Sequence, residues 1–282
     1  MRNSTLLCLI PLLFAACQKD VLPALVKEGW RVITIAPSTA ANIQALGMGS
    51  LVVGVSDWCA VDDYSDLPRI GGLGSPSLER ISELQPNVVI VQGRQAVLEK
   101  YCRQNGIYFM SFTTDSLDAW RQEIRWLGNA FNCSEKANSL ISDFGQQLQA
   151  LGDDEWRPRC LLVAGRKSNQ VADLLVAAQR SFLTELLEAA GGINVLADDG
   201  DYIYLQEELL PELNPQIIFE LHFAEASKPP LDIWEMTFPH IDAVDNGRIY
   251  NLFNPQVLMP GPNMVKTAQA MSDIIRRQKP VQ

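Results

Sequence analysis

Alternating apolar runs and helical segments constrain the fold of this 282-residue chain more than any other feature. The runs are rich in β-branched and aromatic residues, as expected of buried strands. They occupy 31–36, 51–56, 87–92, 107–112, 159–165, 173–177, 215–221 and 248–253. Segments with helical spacing, such as 39–46 and 78–84, lie between them. Such alternation with short turns predicts an α/β fold with parallel sheets and right-handed crossovers.

The segment 132–154 separates the two sets of runs and has the pattern of one long amphipathic helix. Its apolar residues recur every three or four positions at Ala137, Leu140, Phe144, Leu148 and Leu151. Asn132 is a candidate N-cap, with Glu135 at the capping-box position. A helix of about 20 residues is about 30 Å long. The pattern alone fits a rigid connector between two lobes and a crossover helix within one sheet equally well.

The N-terminus has the pattern of a secretory signal. Arg2 precedes an apolar stretch over 6–16 that is interrupted by Pro11 and is too short to span a bilayer. Two small residues then precede Cys17, which resembles a bacterial lipoprotein signal in which this cysteine is lipidated and becomes the mature N-terminus. Phe14 replaces the usual leucine, so plain secretion is the alternative. We expect an extracytoplasmic protein of the cell envelope, anchored to a membrane by its lipid.

Composition limits the classes of partner. The chain is 47% hydrophobic and 20% charged, which is typical of a globular protein. Its net charge of −10 argues against nucleic acid as a partner and against a basic membrane-binding face. The same charge suits docking onto a basic protein.

Four cysteines remain beyond the signal region, and they lack the close C-x-x-C spacing of a zinc or redox site. They are Cys59, Cys102, Cys133 and Cys160. One or two disulfides are compatible with an oxidising compartment, and buried free thiols are equally compatible with this spacing.

One acidic pattern occurs in both halves. LERISELQPNVVI and EELLPELNPQIIF align on their prolines, which places Glu79 on Glu208 and Glu83 on Glu212. The first glutamate of each pair lies at the start of a predicted helix, where a carboxylate stabilises the helix by about 0.3–1 kcal/mol. Capping alone does not require the same distance from the proline in both halves, so we infer a shared function.

Five stretches together resemble the periplasmic binding proteins of ferric-siderophore and cobalamin ABC importers, the group with a helical backbone between its lobes. They are RVITIAPSTAANIQALGMGSLVVGVSDWC, LPRIGGLGSPSLERISELQPNVVI, SFLTELLEAAGGINVLAD, NGRIYNLFNP and PGPNMV, within roughly 31–270. The resemblance implies two Rossmann-like α/β lobes with parallel sheets, joined by one long rigid helix, with the ligand cleft between the lobes. A stiff connector would restrict closure to small rocking motions.

On that resemblance the chain divides into five parts. These are a signal peptide (1–16), a tether (17–30), an N-terminal lobe (31–131), a connecting helix (132–154) and a C-terminal lobe (155–282). In such proteins one surface glutamate on each lobe docks into arginine clusters of the permease subunits. The matching positions are Glu79 and Glu208, with Glu207 as a substitute for the second. We expect a monomer whose partners are the permease and a small-molecule metal chelate, with no cofactor.

Ligands of open α/β sheets collect beyond the carboxyl ends of the strands. That rule, with the rim aromatics, nominates Trp58, Arg94, Arg166, Gln179, Arg180, Tyr202, Tyr204 and His222. Trp58 suits stacking on a flat chelate or corrin, although a core or rim tryptophan is the alternative. The three arginines suit an anionic ferric chelate, although each alone reads as a surface residue. The two tyrosines are rim candidates that also suit core packing.

Departures from the family pattern affect the expected ligand. The family often has a glycine-rich turn where this chain has AAQRS, so Gln179 and Arg180 are candidate specificity residues. His222 is suited to bind a haem iron together with a tyrosine, and a solvated loop histidine is the alternative. With two histidines in the chain, a bare zinc or manganese site is not expected. Because the three arginines favour an anionic ligand, a ferric siderophore-type chelate is the first expectation, followed by cobalamin and then haem.

An enzyme of the secreted α/β hydrolase type is the alternative from another class. The sequence has no G-x-S-x-G elbow, no G-x-x-x-x-G-K-[ST] phosphate loop and no G-x-G-x-x-G fingerprint. Strand ends rich in Trp, Arg and Tyr, without a nucleophile and base, favour binding over catalysis. A purely structural envelope lipoprotein would not need the matched glutamates.

Overall fold

The computed structural model describes residues 29–279, except 73, 153–155, 168, 223–230 and 254–256. The predicted signal peptide and Cys17 lie outside these described residues. Within the described ranges, no helix is both long enough and apolar enough to cross a membrane.

The first half of the chain forms a four-stranded parallel sheet and a small hairpin. Its strands are β1 Val32–Thr34, β2 Val52–Val55, β3 Gly71–Gly72, β4 Ser75–Pro76, β5 Val88–Gln92 and β6 Tyr108–Phe112. Its helices are α1 Pro37–Ala45, α2 Leu78–Glu83, α3 Ala96–Gln104 and α4 Leu117–Ala130. The sheet order is β2-β1-β5-β6, and β3 pairs with β4 as the hairpin. The central strands are buried on both faces, which explains their continuous β-branched runs.

The second half of the chain follows α5 Ser134–Gln149 and forms a six-stranded sheet. Its strands are β7 Arg159–Gly165, β8 Leu174–Ala177, β9 Ile193–Asn194, β10 Tyr202–Leu205, β11 Ile217–His222 and β12 Ile249–Phe253. Its helices are α6 Phe182–Ala189, α7 Leu210–Leu213, α8 Leu231–Thr237, α9 Asp242–Asp245 and α10 Met264–Arg277. The order is β10-β8-β7-β11-β12, and β9 also pairs with β7.

This second sheet is mixed, whereas the sequence predicts a parallel one. Strands β7, β11 and β12 are parallel, but β8 runs antiparallel to β7 and β10 runs antiparallel to β8. The link between β7 and β8 spans only 166–173, and a parallel crossover needs a dozen residues or more. The short link therefore fixes β8 as an antiparallel neighbour.

The predicted helix 132–154 is shorter at both ends, because the structure has α5 over 134–149. Asn132 does not cap it. Asn132 has a φ of 53°, in the left-handed region. The amide of Cys133 donates to Gly128 O at 2.7 Å, and that of Asn132 to Asn129 O at 3.4 Å. This is the Schellman pattern, so Asn132 terminates α4 instead of starting α5.

Helix α5 contacts elements from both halves of the chain. It packs against α4 of the first half and against α6 and α10 of the second half. The ring of Phe144 lies 4.5 Å from that of Trp120 in α4, centroid to centroid. Just beyond α5, the carbonyl of Leu151 accepts a hydrogen bond from Arg276 Nη2 in α10 at 2.7 Å. A single buried apolar cluster consequently includes residues from both halves.

Candidate ligand-binding site

Trp58 lies in the turn after β2, at the carboxyl edge of the first sheet, and its side chain is 73% exposed. The backbone beside it is held firmly. Asp57 N donates to Gly71 O, and Gly71 N donates to Asp57 Oδ1, both at 3.2 Å. Arg69 Nη1 donates to the carbonyls of Ser56 and Cys59, both at 3.1 Å. The indole of Trp58 therefore projects into solvent from a backbone that hydrogen bonds hold in place, and this arrangement suits stacking on a flat ligand.

Arg94 lies at the same edge of the first sheet, in the turn after β5, and its side chain is exposed. Gly93 forms the turn with a φ of +70°, and its amide donates to Phe112 O at 2.8 Å. Within the described part of the chain, the Arg94 guanidinium has no ion pair. It is therefore available to an anionic group.

A buried glutamate lies beneath this edge of the first sheet. Glu123 Oε1 accepts hydrogen bonds from Thr39 Oγ1 at 2.7 Å and Asn42 Nδ2 at 3.0 Å, and Oε2 accepts one from Thr114 Oγ1 at 2.8 Å. Asn42 Oδ1 in turn accepts one from Trp120 Nε1 at 3.0 Å. Burial raises the pKa of Glu123, against the opposing effect of its three donors. The network joins α1, α4 and the turn after β6.

Arg166, at the carboxyl end of β7, is engaged by a second buried glutamate. Its Nε and Nη2 donate to the two carboxylate oxygens of Glu220, at 2.7 and 3.2 Å. Trp234 Nε1 also donates to Glu220 Oε1, at 2.7 Å. Removing one partner of such a buried pair costs about 3–5 kcal/mol. A ligand contact of Arg166 stays a prediction, but its guanidinium fork is already occupied within the protein.

Gln179 and Arg180 lie in the turn after β8, and the strand-end rule does not apply there. Because β8 is antiparallel to β7, its carboxyl end points away from the edge at which β7, β11 and β12 end. The turn nevertheless lines a cavity of about 470 Å³ between the two halves, together with Asp115, Ser116, Glu185 and Asp201. Arg180 Nε lies 3.3 Å from Asp199 Oδ1 and 3.7 Å from Asp201 Oδ1.

Two backbone amides join the halves beside this cavity. Phe182 N donates to Asp115 O at 2.9 Å, and Leu117 N donates to Glu185 Oε1 at 2.7 Å. Burial raises the pKa of Glu185, although the hydrogen bond from Leu117 opposes the shift. The predicted residues Gln179 and Arg180 thus lie at a junction between the halves.

The two predicted tyrosines lie on β10, at the outer end of the second sheet. Tyr202 is partly buried, and burial raises its pKa against a hydrogen bond with Ser181. Tyr204 is 76% exposed. Tyr202 is packed into the protein, whereas Tyr204 is free to contact another molecule.

His222 is the last residue of β11 and pairs in register with Phe253, the last residue of β12. Phe253 is 49% exposed. Phe253 is not among the residues predicted from sequence, although the strand-end rule applied to 248–253 includes it. An exposed aromatic side chain therefore lies at the carboxyl edge of each sheet, Trp58 in one and Phe253 in the other.

Both predicted docking glutamates are exposed. Glu79 lies in the first turn of α2, whose N-cap Ser77 accepts a hydrogen bond from Arg80 N at 3.3 Å. Glu208 lies in a 3-10 helical turn over Glu207–Leu209, and Glu207 is less exposed than Glu208. The two motifs therefore differ in helix type, but each exposes a carboxylate seven residues before its proline.

The four cysteines of the described chain are buried free thiols, which resolves the alternative that the sequence left open. Burial raises the pKa of Cys102 to about 11 and that of Cys160 to about 12. Within the described residues, no group of three or more His, Cys, Asp or Glu side chains could hold a metal ion.

A family model described as periplasmic binding protein matches residues 32–255. The chain belongs to the periplasmic binding protein family. It is accordingly a substrate-binding protein of the kind that serves ABC importers, and not an enzyme. Such proteins carry a transported ligand rather than a cofactor.

Individual relatives of this binding protein are known in sequence and structure. The high-affinity heme uptake system protein IsdE of Staphylococcus aureus is 28% identical over 268 residues, which cover 88% of each chain. The periplasmic heme-binding protein HutB of Vibrio cholerae superposes with a TM-score of 0.78 at 18% identity, covering 88% of this chain and 99% of HutB. The vitamin B12-binding protein BtuF of Vibrio cholerae gives 0.72 at 21% identity, covering 89% and 98%. These likenesses confirm the two-lobed α/β class.

Proposed function

We propose that this binding protein captures an iron tetrapyrrole of the haem class and delivers it to an ABC importer. One observation carries the proposal: an exposed aromatic side chain at the carboxyl edge of each sheet, Trp58 and Phe253. A planar, largely apolar macrocycle is the ligand that two such aromatic edges suit. The names of IsdE and HutB, both haem proteins, support the same class.

The charges at the site favour haem over the ferric siderophore expected from sequence. That expectation rests on three arginines, but Arg166 is paired with Glu220 and Arg180 lies beside Asp199 and Asp201. Arg94 remains as an exposed cation, which is enough to contact a carboxylate at the rim of a macrocycle. A ferric siderophore-type chelate is the second candidate, because the exposed Arg94 would also suit its charge.

We assign the axial contact with the haem iron to His222, since imidazole is a common protein ligand of haem iron. His222 ends β11 beside Phe253, so iron coordination and aromatic contact would come from neighbouring strands. His222→Ala should weaken ferric haem binding and change the Soret band of the complex. His240→Ala removes the other histidine of the chain and is the matched control. Identical spectra and affinities for both variants would rule out His222 as the axial ligand.

Delivery is assigned to Glu79 and Glu208. Exposed charges of this kind act mainly on association rate and on the register of docking. The two lobes, with boundaries near 131 and 155, would each present one carboxylate to a permease subunit. Small rocking of the lobes about the connecting helix would accompany release of the ligand.

Anchoring is assigned to a lipid on Cys17, which lies outside the described residues. The family is periplasmic, and a lipid would hold the protein at the membrane that contains its importer. Cys17→Ser should move the protein from the detergent phase to the aqueous phase in a phase-partition experiment. Unchanged partitioning would contradict the anchor.

A further inference from the structure

Gly72 lies against the exposed Trp58. A Cβ atom added to Gly72 would come within 3.2 Å of Trp58 Nε1 and 3.8 Å of Trp58 Cδ1. The first distance is closer than ordinary van der Waals contact. The indole therefore occupies space that a side chain at position 72 would take.

The backbone segments that carry Trp58 and Gly72 are both fixed by hydrogen bonds. Arg69 and Asp57 hold the backbone on either side of Trp58, as described above. The hairpin that carries Gly72 pairs Gly71 with Pro76 and Gly72 with Ser75. The backbone of the turn at Trp58 and that of the hairpin at Gly72 are both held by hydrogen bonds. The orientation of the Trp58 side chain can still change, and Gly72 limits that change on the side of the hairpin.

We propose that Gly72 sets the width of this ligand site, acting through Trp58. The proposal rests on the proposed function, because it assumes that the indole contacts a flat ligand. Because glycine has no side chain, the indole packs against the hairpin, and space for a ligand remains on the opposite face of the indole. A side chain at 72 pushes the indole away from the hairpin and toward the ligand, which narrows the site for a macrocycle.

The hairpin supplies its own control at Gly74. Among the described residues other than its chain neighbours, none has an atom within 4 Å of a Cβ added at Gly74. The backbone of neither Gly72 nor Gly74 lies in the left-handed region, so valine causes no backbone strain of that kind at either position. Gly72→Val and Gly74→Val therefore make the same chemical change on one hairpin, but only the added side chain at position 72 contacts Trp58.

The test is titration of purified wild type and both valine variants with ferric haem. Gly72→Val should weaken haem binding about tenfold, comparable to the loss of one aromatic contact, while Gly74→Val binds as wild type does. In a Trp58→Ala background, Gly72→Val should have no further effect on affinity. Without ligand, acrylamide should quench the fluorescence of Trp58 more strongly in Gly72→Val than in wild type, because the indole is more exposed. The difference between wild type and a Trp58→Phe variant identifies the fluorescence of Trp58.

Two failures are distinguishable. If wild type does not bind haem, the proposed function is wrong and the role of Gly72 in the ligand site is lost with it. If wild type binds haem and Gly72→Val binds equally well, only the role of Gly72 is overturned. An equal loss in Gly74→Val, or an undiminished effect of Gly72→Val in the Trp58→Ala background, would also overturn it, because the effect would not pass through the indole.

Discussion

Glu123 and Glu220 are the two buried carboxylates of the described residues, and they are accommodated differently. Glu220 has a cationic partner in Arg166, whereas Glu123 accepts hydrogen bonds from neutral groups. A charged group transferred from water to the interior without a counter-ion is disfavoured, which is why burial raises the pKa of Glu123. The protonation of Glu123 is therefore linked to folding.

This linkage predicts a pH dependence with a definite sign. Because the pKa of Glu123 is higher in the folded than in the unfolded chain, its stabilising contribution is fullest below the ordinary glutamate value of 4.5 and is lost as pH rises through the folded-state pKa. The free energy of unfolding of wild type minus that of Glu123→Gln should therefore decrease from low to neutral pH. Urea unfolding at several pH values measures this difference.

Glu135→Gln is the control for that series, because Glu135 is exposed on α5 and its replacement should not produce the same trend. A wild-type advantage over Glu123→Gln that grows with rising pH would contradict the assignment.

Neither buried glutamate is among the residues predicted from sequence, although the local sequence of each indicates burial. Glu220 interrupts the apolar run PQIIFEL, and Glu123 shares a helical face with Trp120 and Leu127. A charged residue at a position that the period assigns to the core indicates a buried partner. The identity of that partner was not predictable, because Arg166 is 54 residues from Glu220 and is brought near it by the pairing of β7 with β11.

At the scale of elements, the contact between α4 and α5 depends on one glycine. A Cβ atom added to Gly128 would lie 2.5 Å from Ala137 Cβ and 3.3 Å from Ser134 Cα. The first distance is too short for two carbon atoms, so the helices could approach this closely only with glycine at 128. For Gly145 in α5, no described residue outside the neighbouring backbone of its own helix comes within 4 Å of the same added atom.

These two glycines give opposite predictions for the same substitution. Gly128→Ala should destabilise the protein by about 1–3 kcal/mol through overpacking. Gly145→Ala should stabilise it by roughly 0.5–1 kcal/mol, because alanine is the better helix former. Thermal or urea unfolding of the two variants tests the packing. If Gly128→Ala did not destabilise the protein, the close approach of α4 and α5 would be contradicted.

The sequence predicted the presence of these elements better than their ends and directions. All eight apolar runs contain strands, since their β-branched composition is a local property. The direction of β8 depended on the length of the 166–173 link, which apolar periodicity does not report. The predicted start of the connecting helix at Asn132 is wrong, because asparagine is acceptable both as an N-cap and as a left-handed residue that ends the preceding helix.

At the scale of the whole molecule, docking is predicted to be separable from ligand binding. Glu79→Ala with Glu208→Ala should abolish uptake by cells or by reconstituted importer while leaving ligand affinity unchanged, because both side chains are exposed. Uptake of radiolabelled ligand and titration of the purified variant measure the two properties separately.

The repeated motif provides the control for docking. Glu83→Ala with Glu212→Ala removes the same total charge from the same two segments, and both residues are exposed. This control should retain uptake. Loss of uptake in both double variants would indicate a general charge effect, and loss of affinity in the Glu79 and Glu208 variant would contradict the docking assignment.

The family and the two-lobed class were predictable because the matching stretches run through most of the chain, but the order of expected ligands rested on residues counted singly. Counted singly, the three arginines favour an anionic chelate, but Arg166 is paired with Glu220 and Arg180 lies beside two aspartates. Such pairing depends on which strands become neighbours. The exposed Trp58 and Phe253 became informative together only when each was placed at a sheet edge.

The identity of the ligand class is tested most directly by equilibrium titration of the purified mature protein with ferric haem, cyanocobalamin and a ferric siderophore, followed by tryptophan fluorescence and visible absorption. We predict saturable binding of haem at one site, with a changed Soret band and affinity higher than for the other two ligands. Saturable binding of cobalamin or the ferric siderophore, with no saturable binding of haem, would contradict the proposal.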